Sequence, residues 1–351
     1  MPFAFTADCH LAGNAWASLP TVVGDAYNSF NQIVTHCLDK RAQALVLGGD
    51  NVDSSRPSAQ TALHLFDEGR RLRDLPVCFI QGQHCRTSPP WPQLLMSGRS
   101  LHKQRFNLCG HPTAGFDHLP ADELQAELAA LPDDVEILVL HQMCRQAISF
   151  DSWDFDASWL KDREKLKLVL MGDYHKVWNQ KIDSAGGPLE LLYPGSIAMQ
   201  SQDEDPEKSF VWVNDDLTWE RVPLQTRPFR RLTLLIEDDV KAAEKELAAL
   251  QGNSVGGPLA FVEYQTGLSA VEERLVKAFQ GVLVLSARPA ELLRSGIKPD
   301  NVTLAGCLGS VLKREEDPGL YEFLVELLGN AEPAAVLDGA LAKLTKEGAC
   351  A

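Results

Sequence analysis

Over its first two hundred residues the chain alternates short, largely apolar runs with longer stretches of helical periodicity. The runs are Phe3–Ala7, Ala44–Leu47, Val77–Ile80, Ile137–Leu140, Lys167–Met171 and Leu189–Tyr193, and each is strand-like in length and content. Between them, Asp25–Lys40 and Pro57–Leu72 place apolar residues at helical spacing, the second with Pro57 near its first turn as a start signal. Strands alternating with helices predict a layered α/β domain. The polar residues that close the runs are not random. Nearly every run ends in Asp, His or Gly: TADCH, LGGDNVD, IQGQHC, LVLHQM, LMGDYH and LYPGS. Ligand sites of open α/β sheets lie beyond the carboxyl ends of the strands, so these tails are expected to converge.

After Ser201 the pattern changes. Ser209–Asn214 and Leu217–Pro223 read as a hairpin about Asn214-Asp215-Asp216. A TRPFRR segment then leads into a βαβαβ series. It comprises a strand at Leu232–Ile236, a helix at Val240–Leu250, a strand at Leu259–Tyr264, a helix at Ala270–Gln280 and a strand at Val282–Ser286. That series predicts a smaller second domain beginning near Thr226. From about Pro299 the chain reads as helices, Gly319–Leu328 and Ala334–Thr345, with an apolar face.

Composition narrows the class. At 351 residues, 45% of them hydrophobic, the chain has material for one large α/β domain and a smaller one. No apolar run approaches the roughly 20 residues of a membrane span. The amino terminus has no basic n-region or cleavage site, so a soluble, unprocessed, cytoplasmic protein is expected. Eight cysteines without a CxxC pair read as reduced thiols. A net charge of −15 excludes a chain coated in basic surface. A nucleic-acid substrate would have to be gripped by local basic patches, by metal ions or through a partner.

The strand tails carry the chemistry. Asp8 and His10 stand two apart and so point to one side of a strand. Asp50 follows two glycines that let the backbone turn at the sheet's lip. Gln83 and His84 follow the third run, His141 the fourth, and Asp173 and His175 the fifth. So many nitrogen and oxygen donors at strand ends point to a metal site. The set suits two ions, one on Asp8, His10, His175 and a shared Asp50, the other on Asp50, Gln83, His141 and Asp173. A carboxylate bridging two ions suits attack by an activated water on phosphorus. Mixed imidazole and carboxylate donors favour Mn, Fe or Zn over Ca or thiophilic metals.

The ordered series DCHL, GGDNVD with SRPS, GQHC, LVLH, GDYHKV and YPGS resembles the calcineurin-like metallophosphoesterases over about residues 1–215. Within them it is most similar to the SbcD family of double-strand-break repair nucleases, bacterial or phage-encoded. SRPS, YPGSI and the later TRP are the more family-specific pieces. The resemblance implies a four-layer β-sandwich flanked by helices (1–225), an α+β capping domain that helps cradle DNA (226–298) and a helical segment that docks an ATPase (299–351). It puts Asp8, His10, Asp50, Gln83, His141, Asp173 and His175 in metal-ligand positions and His84 in the catalytic one. It further implies two divalent metals, Mn first with Mg, Fe or Zn as alternatives, and exonuclease and endonuclease activity on DNA. The implied assembly is a homodimer within a heterotetramer with an SbcC/Rad50-like ATPase. Two departures stand out. The family's GNHD is GQHC here, so Cys85 replaces the Asp that would orient His84. Asp173 stands where a histidine is commoner, a change that favours harder ions such as Mn or Mg.

Other polar residues have blander readings. Asp53 either orients a ligand or caps the helix that follows. His36 and His64 read as packing residues. His102, His111 and His118 receive no role, and Arg227, Arg230 and Arg231 are candidates for phosphate contact. Two other functions compete with the nuclease: a phosphodiesterase or phosphatase for small substrates, and a DNA-end-binding scaffold with weakened chemistry.

Overall fold

A computed structural model of the protein describes residues 2–11, 22, 24–149, 152–201, 204–250, 257–279 and 281–288. The expected terminal helices lie outside the described residues. Two six-stranded sheets dominate. The first has β1 (Phe3–Thr6), β2 (Leu45–Gly48), β3 (Val77–Ile80), β4 (Arg99–Ser100), β11 (Ser209–Val213) and β12 (Trp219–Pro223), in the order β12-β11-β1-β2-β3-β4. The second has β5 (Arg105–Leu108), β6 (His111–Phe116), β7 (Ile137–His141), β8 (Leu168–Gly172), β9 (Trp178–Ser184) and β10 (Gly187–Tyr193), in the order β5-β6-β7-β8-β10-β9. β1, β2 and β3 pair in parallel, as do β6, β7, β8 and β10. Their carboxyl ends therefore emerge together.

The apolar runs follow from burial on both faces. Phe3 and Phe5 of β1, Val46 of β2 and Ile80 of β3 meet Ile137 and Val139 of β7 and Leu168 and Leu170 of β8 in the core between the sheets. The alternate residues Ala4, Leu45, Leu47, Val77 and Phe79 face helices α1 (Asp25–Asp39) and α2 (Ala59–Arg71) through Phe30, Ile33, Val34 and Leu65. On the second sheet, Leu138, Leu140, Val169 and Met171 turn outward to Leu124 and Leu128 of α4 (Ala121–Ala129), which follows the short α3 (Trp91–Met96). The result is the expected four-layer sandwich, helix, sheet, sheet, helix. Each of its fully buried Phe or Leu side chains contributes roughly 1.5–3 kcal/mol relative to exposure.

Helix α2 begins at Ala59, two residues later than Pro57 suggests, because Ser58 accepts the backbone N–H of Thr61 and caps it. Ser58, the second serine of SRPS, is thus the helix cap, and Asp53 does not take that part. The stretch between the third and fourth runs, unreadable in sequence, holds α3, β4, β5, β6 and α4.

The described residues divide into two compact units, one of 2–231 with 244–250, 257–261 and 276–284, the other of 232–243 with 262–275 and 285–288. The predicted βαβαβ series is present as β13 (Phe229–Leu234), α5 (Glu237–Ala249), β14 (Leu259–Gln265), α6 (Val271–Ala278) and β15 (Val282–Arg288), a sheet of order β13-β14-β15. Among the described residues no helix is long and apolar enough to cross a membrane.

Candidate metal centre

The strand ends deliver their polar residues into one pocket. Asp8 follows β1, Asp50 follows β2, the Gln83–His84 loop follows β3, His141 ends β7, and Asp173 and His175 follow β8. The backbone is bent to do so. Asp8 (φ 52°), His10 (φ 41°), Asp50 (φ 44°) and Asp173 (φ 95°) all occupy the left-handed region that side chains avoid. Strain of this kind gathers where a site over-determines the chain. Two glycines make the space. At Gly49 a Cβ would lie 2.1 Å from His141 Nδ1, and at Gly82 one would lie 2.2 Å from Asp50 Oδ1 and 2.5 Å from His141 Nε2.

At the centre, Asp50 Oδ2 lies 3.3 Å from His141 Nε2, 4.0 Å from His10 Nε2 and 3.9 Å from His84 Nε2. Asp8 Oδ1 lies 3.9 Å from His141 Nε2 and 4.0 Å from His175 Nε2, and both its oxygens accept the backbone N–H of Asp173. Asp8, Asp50 and His141 are at most 1% exposed. Two donor groups compact enough for one cation each emerge, Asp8 with His10 and His175, and Asp8 with Asp50 and His141. Asp8 belongs to both groups; Asp50, read from the sequence as the shared ligand, belongs to the second and has its Oδ2 4.0 Å from His10 Nε2 of the first.

The histidine tautomers argue for cations. His141 Nδ1 donates to the Gly48 carbonyl at 2.7 Å, so in the neutral ring Nε2 carries the lone pair. That buried Nε2 has no hydrogen-bond partner and faces the carboxylates of Asp8, Asp50 and Asp173. His10 Nδ1 lies 2.8 Å from Asp53 Oδ1, and His175 Nδ1 lies 2.8 Å from Glu204 Oε1. Each carboxylate turns its ring so that the two Nε2 atoms meet at 3.1 Å. Lone pairs aimed at one another and at carboxylates repel unless positive charge lies between them. A proton can supply it. Burial opposes a charged His141, but Asp50, Asp8 and Asp173 outweigh it and push the ring up to about 10. Burial raises the Asp8 carboxyl, while Asp50 falls well below the usual range because His141, His10 and His84 overcome its burial. Divalent ions satisfy the same donors without protonation, so these residues fit such a centre.

The rim is looser. Gln83 is exposed, and its amide nitrogen donates to Asp173 Oδ1 at 2.6 Å. His84 is anchored by its backbone N–H to Asp50 Oδ1 at 3.0 Å, while its side chain is 52% exposed at the mouth. Cys85 points the other way, into the core behind α2, where burial pushes its thiol up to about 11. It packs in that core and does not take the part of the Asp that the resemblance implies beside His84. His118, given no role in sequence, falls with Asp154 and Asp173 in a third compact donor group, partly exposed. Glu204 is the residue that sequence reasoning missed. It lies in the acid-rich stretch SQDEDPEK, which reads as solvated, yet it is 7% exposed. His36 and His64 pack edge-on or tilted against aromatic rings, as expected. Arg227 grips Asp25 through Nε at 2.7 Å and Nη2 at 2.8 Å, a structural tie rather than a free cation.

Known proteins place this geometry. The family profile "Calcineurin-like phosphoesterase" matches residues 1–192. Proteins named DNA double-strand break repair protein Mre11 align with most of the chain. The Methanosarcina acetivorans protein is 26% identical over 262 residues, covering 70% of this chain and 42% of that one. That of Methanosarcina mazei is 24% identical over 326 residues, covering 86% and 51%. That of Sulfolobus acidocaldarius is 25% identical over 226 residues, covering 60% and 58%. The chain thus spans about half the length of the relatives it matches.

Proposed function

We propose that this chain, which belongs to the calcineurin-like phosphoesterases, is a two-metal nuclease that hydrolyses phosphodiester bonds of DNA during double-strand-break repair. The observation that carries the reading is the set of three imidazole Nε2 atoms within 4.0 Å of Asp50 Oδ2. The similarity to Mre11 proteins over 60–86% of the chain favours DNA over small phosphoesters.

Asp8, His10, Asp50, His141, Asp173 and His175 hold the ions, with the Gln83 amide oxygen as a further ligand once it turns from Asp173. A pair of divalent ions, Mn first, supplies when bound an activated water and neutralises charge on the phosphoryl group. The chain's own part is placement. Strand ends fix the donors, and the buried floor excludes bulk water beneath the phosphate. His84, half exposed above Asp50, touches the phosphate or hands a proton to the leaving oxygen. The net charge of −15 fits a DNA grip shared with a partner; by the resemblance to the SbcD family, residues 226–298 act as a capping domain and 299–351 dock an SbcC/Rad50-like ATPase.

The test is purified protein with Mn and end-labelled linear duplex DNA, beside Asp50→Ala. Ends should be degraded only with Asp50 present. Cleavage of a generic phosphodiester dye without cleavage of DNA, partner included, would sink the nuclease reading in favour of a small-substrate enzyme.

A further inference from the structure

His175 is held from two directions by one loop. The backbone N–H of Ser196, from the YPGSI element, donates to the His175 carbonyl at 3.1 Å. The His175 ring donates from Nδ1 to Glu204 Oε1 at 2.8 Å. The other oxygen of Glu204, Oε2, accepts from Lys208 Nζ at 2.6 Å, from Ser196 Oγ at 2.7 Å and from the Gln200 N–H at 3.1 Å. Lys208 Nζ also donates to Ser196 Oγ at 2.9 Å. The side chains of Lys208 and Glu204 are 3% and 6% exposed, so this is a buried ion pair.

Such a pair calls for a reason. Taking two charges out of water is expensive, and well-packed apolar residues of the same volume are often as stabilising or more so. Apolar residues here would leave the His175 ring without an acceptor, free to rotate or to change tautomer. A carboxylate behind a ligand histidine fixes both. Asp53 does this for His10 from a more open position, its side chain 16% exposed. Glu204 has both oxygens engaged by four donors, so its own rotamer is fixed too.

We propose that Glu204, gripped by Lys208 and Ser196, is the positioning residue that presents His175 Nε2 to the cation at the Asp8–His10–His175 group. An ion pair that never touches substrate then sets how tightly that cation is held. The proposal rests on the two-metal reading.

Isothermal titration of Mn into the metal-free full-length protein tests both and separates them. Wild type should bind Mn. Glu204→Gln should weaken one of its sites about 10–100-fold, and Ser196→Ala should weaken it less. Because Glu204 acts through His175, adding Glu204→Gln to His175→Ala should cost nothing further. A wild-type protein that binds no Mn overturns the two-metal reading, and this proposal with it. Wild-type affinity in Glu204→Gln overturns the proposal alone. So does an equal loss with and without His175, which would mark Glu204 as merely structural. If Glu204→Gln does not fold, by thermal melting of the metal-free form, Ser196→Ala alone and with His175→Ala decides by the same criteria.

Discussion

The floor and the rim of the pocket are made differently. Asp8, His10, Asp50 and His141 are at most 3% exposed and hang from the ends of central strands, with the backbones of Asp8, His10 and Asp50 bent into left-handed conformations. Gln83 and His84 sit on an exposed loop held to the floor by one backbone N–H and one amide. In the floor each donor is buried and aimed at the others. The rim and the core just behind it hold Gln83 and Cys85, where the resemblance to the SbcD family implies Asn and Asp. The buried donors are therefore the rigid part of the site, and the Gln83–His84 loop the looser part.

The hardest blow to that contrast is Gly82→Ala, which places a methyl 2.2 Å from Asp50 Oδ1. Mn binding and DNA cleavage should both fall to background; retention of either means the floor yields. Next is His84→Ala. We expect kcat to drop about 10²–10⁴-fold with Mn affinity by calorimetry unchanged. Loss of metal here would erase the distinction between floor and rim.

Cys85→Asp comes third. Placing there the acid that the resemblance to the SbcD family implies would bury an uncompensated carboxylate at a position 4% exposed. It should cost on the order of a few kcal/mol, read from urea midpoints. A stable, faster variant would instead mean that the loop can turn outward. The smallest expected effect lies away from the pocket. Asp156 is buried, which opposes its charge, yet bonds from Ser158, Gln146 and Arg145 hold its carboxyl well below the ordinary 3.8. A group depressed in the folded state stabilises above its unfolded value and stops doing so as pH falls through the folded one. Asp156→Asn should therefore flatten the decline of the urea midpoint below about pH 4, and only partly, since the Arg145 side chain is 59% exposed and screened.

The sequence was most legible where burial is on both faces. The runs at β1, β2, β3, β7, β8 and β10 are apolar because each side packs on something, and their Asp and His endings could be read as one pocket. β9 was invisible because Trp178–Ser184 is a polar, exposed edge strand with no such signature. β5 escaped for the same reason, half of it being exposed. Asp53 could be narrowed to two roles, and only the discovery that Ser58 caps α2 decides between them. Glu204 could not be found at all. A buried ion pair in an acid-rich loop looks in sequence like any solvated one, and only the i to i+4 spacing to Lys208 hints at a partner.

The donors come from both sheets: Asp8 and Asp50 from β1 and β2 of one, His141 and Asp173 from β7 and β8 of the other. An ion held by both would act as a tie-bar across the sandwich, so that the layers could not part without releasing it. Unfolding resistance then becomes a gauge of metal supply, rising by about 2.7 kcal/mol when free ion stands at 100 times its Kd. For the nuclease proposed above, this would have a protective side, since molecules starved of metal would be both inactive and the first to unfold.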